Sequence, residues 1–130
     1  MNSQNPFPKF EVPRQWRWHH QALLKVRTAL LAEEGERKSA LRVSPERGGT
    51  DSGDAAARRQ ESDELLAELL AESVELSEVD AALARLRAGT YGVCEATGAP
   101  ISPERLRAIP WTRLSQSAAA RREERRAHLG

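Results

Sequence analysis

The sequence is poor in cysteine and aromatic residues, and it has no long apolar run. Of its 130 residues, one is cysteine, three are tryptophan, two are phenylalanine and one is tyrosine. A single cysteine excludes an intramolecular disulfide. No segment approaches the roughly 18 consecutive apolar residues that a membrane-spanning helix needs. The first fifteen residues contain prolines and polar groups but no apolar stretch typical of a signal peptide, so we expect a cytoplasmic protein with no secretory signal.

Charge is abundant and unevenly distributed. Residues 1–57 carry nine basic and seven acidic side chains (+2), residues 58–83 carry two and eight (−6), and residues 84–130 carry nine and four (+5). An acidic middle beside a basic end is typical of a protein that binds a partner. A solvated helix surface is the alternative interpretation of the same charges.

Two heptad patterns predict two long helices that pair as an antiparallel coiled-coil hairpin over residues 15–88. Between them lies a segment rich in serine, glycine and proline, which places the tip of the hairpin near residues 48–56, with Asp54 as the predicted N-cap of the second helix. Both patterns become polar towards this tip. The predicted inward positions are Trp16, His19, Leu23, Val26, Leu30, Glu33, Arg37 and Ala40 in the first helix, and Arg58, Ser62, Leu65, Leu69, Glu72, Leu76, Val79, Leu83 and Leu86 in the second.

The remaining segments predict an extended N-terminal arm over residues 1–14 and a small base over residues 89–130. Gly89 should end the second helix and open a glycine-punctuated loop that runs to Gly98. We expect a short helix from Pro103 to Ile109 and a final helix from about Arg113 to Ala127. The fold class is therefore mainly α. The predicted core of the base consists of Tyr91, Val93, Ile101, Leu106, Ile109, Trp111 and Leu114.

The sequence contains no pattern typical of an enzyme. His19 and His20 are adjacent on a helix and point about 100° apart, so they cannot share a metal or a substrate. Ser115 and Ser117 have no histidine or lysine at a useful spacing to activate them. Glycine-rich phosphate loops require a lysine that residues 48–49 lack. Surface or capping roles are the expected roles of these residues.

Two motifs carry more information. The first is Asp51-x-x-Asp54-x-Ala56 between the two helices, which a turn and a helix cap would also explain. The second is the spacing of Cys94, Thr97, Ser115 and Ala118, which matches a C-x2-C-x17-C-x2-C zinc finger in which three cysteines are replaced. A lone core cysteine is the alternative. Together with the runs at 83–98 and 103–110, these motifs resemble the DksA/TraR family of bacterial RNA polymerase-binding regulators over residues 16–130.

This resemblance implies a function and a partner. In that family the coiled coil enters the secondary channel of RNA polymerase, its tip approaches the active site, and the base rests on the channel rim. The resemblance assigns Asp51, Asp54 and Ala56 to the functional tip and implies a regulator of promoter complexes that is not an enzyme. We expect no sequence-specific DNA binding and no membrane binding.

The departures from the family pattern concern zinc and the alarmone ppGpp. The degenerate positions Cys94, Thr97, Ser115 and Ala118 predict a finger without zinc. Family members that use ppGpp have two lysines and an arginine where this chain has Glu78, Ile109 and Ala119, so we expect weak ppGpp synergy unless Arg105, Arg107 or Arg122 substitutes.

Two other functions are compatible with the residues. One is a coiled-coil adaptor or structural protein whose tip aspartates only form a turn. The other is nucleic-acid binding through the run Arg121–Arg126, although its alternating charges favour a solvated or docking helix.

Overall fold

The structure is a computed structural model that describes residues 10–42 and 52–129. A 3₁₀ turn at Arg14–Trp16 precedes helix α1 (Arg17–Arg42), and helix α2 (Ser52–Ala88) follows the gap. Two shorter helices complete the order, α3 (Pro103–Ala108) and α4 (Gln116–Leu129). Over the described ranges the β-structure is a single antiparallel bridge between Val93 and Pro100. The mainly α prediction is confirmed, whereas residues 1–9 of the predicted arm (1–14) and residues 48–51 of the predicted tip (48–56) lie outside the described residues.

The described chain divides into two compact units. One consists of residues 24–80, and the other combines residues 10–23 with residues 81–129. None of the helices in the described ranges is long and apolar enough to cross a lipid bilayer.

The unit of residues 24–80 is an antiparallel helix pair. Arg27 Nε lies 2.7 Å from Asp80 Oδ1, and Arg37 Nε lies 2.6 Å from Glu68 Oε2. Because the residue numbers rise along α1 as they fall along α2, the two helices run in opposite directions. This pairing confirms the predicted coiled-coil hairpin.

The predicted inward positions are correct for α2 and partly wrong for α1. Every predicted position of α2 from residue 58 to residue 86 is buried or half-buried. In α1 the pattern holds as far as Leu30, but Glu33 and Ala40 are exposed, and their neighbours Glu34 and Leu41 are half-buried instead. After Leu30 the inward side steps by four residues to Glu34 instead of by three to Glu33. The same shift brings Leu41, three helical turns beyond Leu30, to the inward side in place of Ala40. Burial of a leucine is more favourable than burial of an alanine.

The ends of α2 differ in how well the sequence predicts them. The predicted N-cap role of Asp54 is wrong, because α2 begins at Ser52 and Asp54 lies within its first turn. A carboxylate there still interacts favourably with the positive end of the helix dipole. At the other end, Gly89 adopts a φ of 81° and the Thr90 N–H donates to the Arg85 carbonyl at 3.0 Å, which is the Schellman arrangement expected of a glycine-terminated helix.

The core of the second unit contains most of the predicted residues. Tyr91, Ile101 and Leu106 are buried, whereas the predicted core position Val93 is wrong, with 41% of its surface exposed. Gly92 has a φ of 84°, and this left-handed residue breaks the alternation that would place residues 91 and 93 on one side. The predicted Ile109, Trp111 and Leu114 are half-buried. Burial extends further to Leu23, Ala82, Leu86, Cys94 and Ala118.

The short helices begin where side chains cap them. Ser102 Oγ accepts a hydrogen bond from the Arg105 N–H at 3.2 Å, and Pro103 occupies the first turn of α3. Helix α3 ends at Ala108, one residue before the predicted end. The predicted start of α4 at Arg113 is wrong, since α4 begins at Gln116 and the Arg113 carbonyl accepts instead from the Glu95 N–H at 2.9 Å.

Candidate functional site: the helix tip and the finger

The structure describes two of the three predicted tip residues. Asp54 and Ala56 are exposed in the first turns of α2, and Asp51 lies outside the described residues. Residues i and i+2 lie about 200° apart around a helix, so Asp54 and Ala56 face opposite sides of α2. Contacts made by both residues therefore require a partner that surrounds the helix end or that meets the two sides separately.

The four predicted finger positions come together in the second unit. Cys94 is hydrogen-bonded to both Thr97 and Ser115. The Ala118 N–H in turn donates to Ser115 Oγ at 3.3 Å, so Ser115 caps the first turn of α4. Cys94 and Ala118 are buried, with 1% and 3% of their surfaces exposed. The chain thus preserves the arrangement of a four-ligand finger while most of the sulfur atoms are missing.

The environment of the Cys94 thiol favours its ionised form. Burial by itself would raise the pKa of this thiol, but hydrogen bonds from the side chains and backbone of Thr97 and Ser115 outweigh that effect and lower the pKa to about 6. Such an arrangement explains how one cysteine can remain buried in the finger.

These residues do not fit a structural zinc ion. Structural zinc takes four thiolate, imidazole or carboxylate ligands in a tetrahedron. Cys94 offers one thiolate, Thr97 and Ser115 offer neutral hydroxyl groups, and Ala118 offers no donor. Across residues 10–42 and 52–129, no group of three or more His, Cys, Asp or Glu side chains is arranged to hold a metal ion.

Arginine side chains hold the returning loop of the finger. Arg105 Nε donates to the Leu114 carbonyl at 2.8 Å, and Arg85 Nη2 donates to the carbonyls of Trp111 and Thr112 at 3.2 and 3.3 Å. Charge-assisted hydrogen bonds of this kind are roughly twice as strong as neutral ones. The loop before α4 is therefore fixed from two sides by cations.

Glu95 and Tyr91 add two further attachments. Glu95 Oε1 lies 3.3 Å from Arg113 Nη1 and 4.0 Å from Arg85 Nη1. The buried Tyr91 hydroxyl donates to the Pro110 carbonyl at 2.7 Å, and burial raises the pKa of this hydroxyl to about 12, although nearby Arg85 acts in the opposite direction. Tyr91 therefore stays a neutral donor throughout the physiological range.

An aromatic cluster joins the start of α1 to the finger. The Trp16 and Tyr91 rings meet edge-to-face with centroids 4.8 Å apart, and the His19 ring lies 5.1 Å from that of Trp16. The predicted inward position of His19 is confirmed, so its expected surface or capping role is wrong. Burial, and secondarily the charge of Arg107, lower the pKa of His19, which keeps this imidazole neutral.

The remaining candidates for chemistry have structural roles. Ser115 Oγ and Ser117 Oγ lie 3.3 Å apart, and His128 Nδ1 lies 3.0 Å from the Glu124 carbonyl oxygen in its own helix. The capping role expected for Ser115 is confirmed. Sequence patterns did not identify Arg85 and Arg105 as anchors of the finger, because isolated arginines in helices carry no signal of their loop partners.

Comparison with known proteins identifies the family of this fold. The family described as "Prokaryotic dksA/traR C4-type zinc finger" matches residues 89–124. A 45-residue segment is 51% identical to General stress protein 16O of Bacillus subtilis, and it makes up 35% of this chain and 28% of that protein.

Two longer similarities cover both units. The RNA polymerase-binding transcription factor DksA of Caulobacter vibrioides is 34% identical over 119 residues, which is 89% of this chain and 81% of that protein. The structure of transcription factor DksA2 from Pseudomonas aeruginosa superposes with a TM-score of 0.77 at 34% identity, covering 88% of this chain and 87% of that one. With this identity over most of both chains, and with the finger arrangement intact around Cys94, the chain belongs to the DksA/TraR family.

Proposed function

We propose that this protein binds RNA polymerase and regulates transcription initiation by inserting the tip of its helix pair into the secondary channel. The observation that carries this proposal is the similarity over 89% of the chain to a DksA named as an RNA polymerase-binding transcription factor. Such a protein acts in the cytoplasm and changes the stability of promoter complexes without making or breaking a covalent bond.

Asp51, Asp54 and Ala56 form the polymerase-facing tip in this proposal. Exposure of Asp54 and Ala56 at the first turns of α2 supports it, because both side chains are available to a partner. A carboxylate at this position can approach cationic groups, while the small Ala56 allows the helix to enter a narrow channel. The base binds the polymerase separately, so binding and regulation should respond to different substitutions.

The experiment compares Asp54→Asn with Asp63→Asn. Both aspartates are exposed on α2, nine residues apart, so the second variant removes the same charge away from the tip. We expect Asp54→Asn to abolish the effect on transcription from a stable-RNA promoter while its affinity for core polymerase changes less than tenfold, under about 1.4 kcal/mol. Asp63→Asn should behave as the unmodified protein. Parallel loss of binding and regulation in Asp54→Asn would show that the tip is not separate from the binding surface.

The adaptor alternative makes the opposite prediction. A coiled-coil adaptor would show no binding to core polymerase in a pull-down, and Asp54→Asn would leave its properties unchanged. Nucleic-acid binding through Arg121–Arg126 would instead appear as direct DNA binding with a steep salt dependence.

We also propose that the finger folds without zinc. The hydroxyl groups of Thr97 and Ser115, together with the arginines that hold the loop before α4, supply the polar contacts that replace a metal. Purified protein should contain no stoichiometric zinc by elemental analysis, its melting temperature should not change in EDTA, and Cys94→Ser should remain folded. Stoichiometric zinc, or a melting transition that collapses on chelation, would contradict this.

Synergy with ppGpp should be weak. Glu78 would repel a polyphosphate, and neither Ile109 nor Ala119 can bind one. Of the possible substitutes, Arg105 binds the Leu114 carbonyl and Arg107 lies 4.6 Å from the centre of the Trp18 ring. In a purified transcription assay, potentiation by ppGpp beyond its effect on polymerase alone would refute this expectation.

A further inference from the structure

An exposed aromatic ring in the second unit carries an arginine on its face. Trp18, in the first turn of α1, has 45% of its surface exposed, whereas the other aromatic side chains of the described residues are buried or half-buried. The guanidinium carbon of Arg107, near the end of α3, lies 4.6 Å from the centre of the Trp18 ring. At this distance a cation and an aromatic ring attract each other. We call these two side chains the tryptophan–arginine pair.

Both side chains of the pair are held in place without a partner. The Trp18 ring meets the ring of the buried His19 edge-to-face with centroids 5.1 Å apart, and His19 in turn packs against Trp16. Arg107 follows Leu106, which is 1% exposed and fixes α3 to the core. Because these side chains have little freedom left to lose, the entropic cost of binding a partner through them is small.

The Arg107 guanidinium donates to no acceptor within residues 10–42 and 52–129, and its side chain is exposed. Two neighbouring arginines differ, because Arg85 and Arg105 donate to carbonyls of the loop before α4. Stacking on a ring uses the face of a guanidinium and leaves the N–H groups at its edge available. A carboxylate can accept two of these N–H groups in parallel, which is a strong and directional contact. The pair is therefore suited to a carboxylate that approaches beside the ring.

The surroundings of the pair favour a single carboxylate over a chain of phosphates. Glu104 is exposed one helical turn before Arg107 on α3, so it would repel a second negative group close to the first. Nucleic acids are bound mainly through several cations that contact successive phosphates. A protein segment that presents one acidic side chain beside an apolar one matches both members of the pair.

We propose that the tryptophan–arginine pair anchors the base on RNA polymerase by binding an acidic side chain of the polymerase and an apolar neighbour of that side chain. This role rests on the proposed function, in which the base binds separately from the tip. Tryptophan and arginine are enriched among the residues that dominate the binding energy of protein interfaces. The exposed part of Trp18 is on the order of 100 Å², so the pair is one anchor within a larger contact.

Equilibrium binding of the full chain to core RNA polymerase tests the pair. Arg107→Glu should raise the dissociation constant at least about tenfold, because it places one carboxylate against another. Arg107→Lys should raise it at least about threefold, since an ammonium keeps the charge but cannot bind a carboxylate through two parallel bonds. Both variants change an exposed side chain and should melt within a few degrees of the unmodified protein. Normal binding by Arg107→Lys would show that charge alone is needed, and it would overturn the stacked guanidinium as the anchor.

The matched control is Arg17→Glu. Arg17 is exposed immediately before Trp18 and points about 100° away from it around α1, so this variant makes the same charge change on another side of the helix. Its dissociation constant should stay within about threefold of that of the unmodified protein, because exposed charges away from the contact are screened by salt. Equal losses in Arg17→Glu and Arg107→Glu would show that the total charge of the second unit sets the affinity, and they would overturn the proposal.

A double variant tests whether the two side chains act as one contact. Trp18→Leu alone should also raise the dissociation constant. Combined with Arg107→Glu, it should raise the dissociation constant by less than the product of the two single effects, since each change already removes part of the same contact. Effects that multiply independently would overturn the pair as a unit.

The same measurements separate this proposal from the proposed function. Only the anchoring role is wrong if the unmodified protein binds polymerase and Asp54→Asn abolishes regulation while Arg107→Glu binds normally. Both are wrong if the unmodified protein does not bind core polymerase. If Arg107→Glu and Trp18→Leu bind polymerase normally but lose affinity for single-stranded oligothymidine, the proposal is overturned and the pair is assigned to nucleic acid.

Discussion

Replacing Gly92 by alanine should destabilise the finger more than the same change at another glycine of the loop. Gly92 has a φ of 84°, and a Cβ atom placed on it would lie 2.8 Å from Cη2 and 2.9 Å from Cζ2 of the Trp16 ring. The left-handed conformation costs alanine about 1–2 kcal/mol. Overlap with a packed ring costs a further 1–3 kcal/mol or so. We therefore expect Gly92→Ala to lower the free energy of unfolding by about 2–5 kcal/mol.

The matched control is Gly98→Ala. Gly98 has a similar φ of 77°, but nothing lies within 4 Å of its Cβ position, so this variant should lose only the backbone contribution of about 1–2 kcal/mol. Urea unfolding followed by circular dichroism measures both values. Combining Gly92→Ala with Trp16→Ala should cost less than the sum of the single changes, since removal of the ring relieves the overlap. Equal losses in Gly92→Ala and Gly98→Ala would refute the close packing of Trp16 on the finger.

Three further predictions follow from the buried polar groups. Burial, and a hydrogen bond with Glu33, raise the pKa of Glu72, although Arg37 opposes this. The contribution of Glu72 to the free energy of unfolding should therefore fall as pH rises from about 4.3. Glu72→Gln should flatten this part of the stability profile. His19 has a lowered pKa, so acidification below about pH 6.5 should destabilise the protein, and His19→Leu should remove this loss in pH-dependent melting curves. Arg105→Lys should lower the free energy of unfolding by about 1–2 kcal/mol, because lysine lacks the Nε–H that binds the Leu114 carbonyl, and an unchanged urea midpoint would contradict that role.

The sequence predicts the fold best where apolar residues recur at a strict spacing. In α2 the leucines and valine between residues 65 and 86 define one inward side, and the structure confirms it. The second half of α1, residues 30–42, has charged residues at six of its 13 positions, so moving the inward position from Glu33 to Glu34 does not change the number of apolar residues on the inward side. Burial of Leu41 and the pairing with α2, through Arg37 and its bonds to Glu68 and Glu72, decide which side turns inward.

The finger is less predictable because its contacts join segments that are distant in sequence. Spacing alone indicates that Cys94, Thr97, Ser115 and Ala118 form a degenerate finger, and the structure brings these positions together. Nothing in the sequence indicates that Arg85 binds carbonyls 26 and 27 residues away. Such bonds depend on where the loop passes, which tertiary packing decides.

If the finger folds without zinc, as we propose, the way it is held has a consequence for its stability. A zinc ion joins four side chains through bonds that depend on metal supply and on thiol redox state. Here the corresponding segments are joined by hydrogen bonds from Thr97, Ser115 and arginine side chains, and by the Tyr91 hydroxyl on Pro110. Each such bond contributes only about 0.5–3 kcal/mol, so several are needed where one metal would suffice. The finger should therefore lose stability gradually as single contacts are removed, in contrast to the all-or-none response of a metal-held finger to chelation.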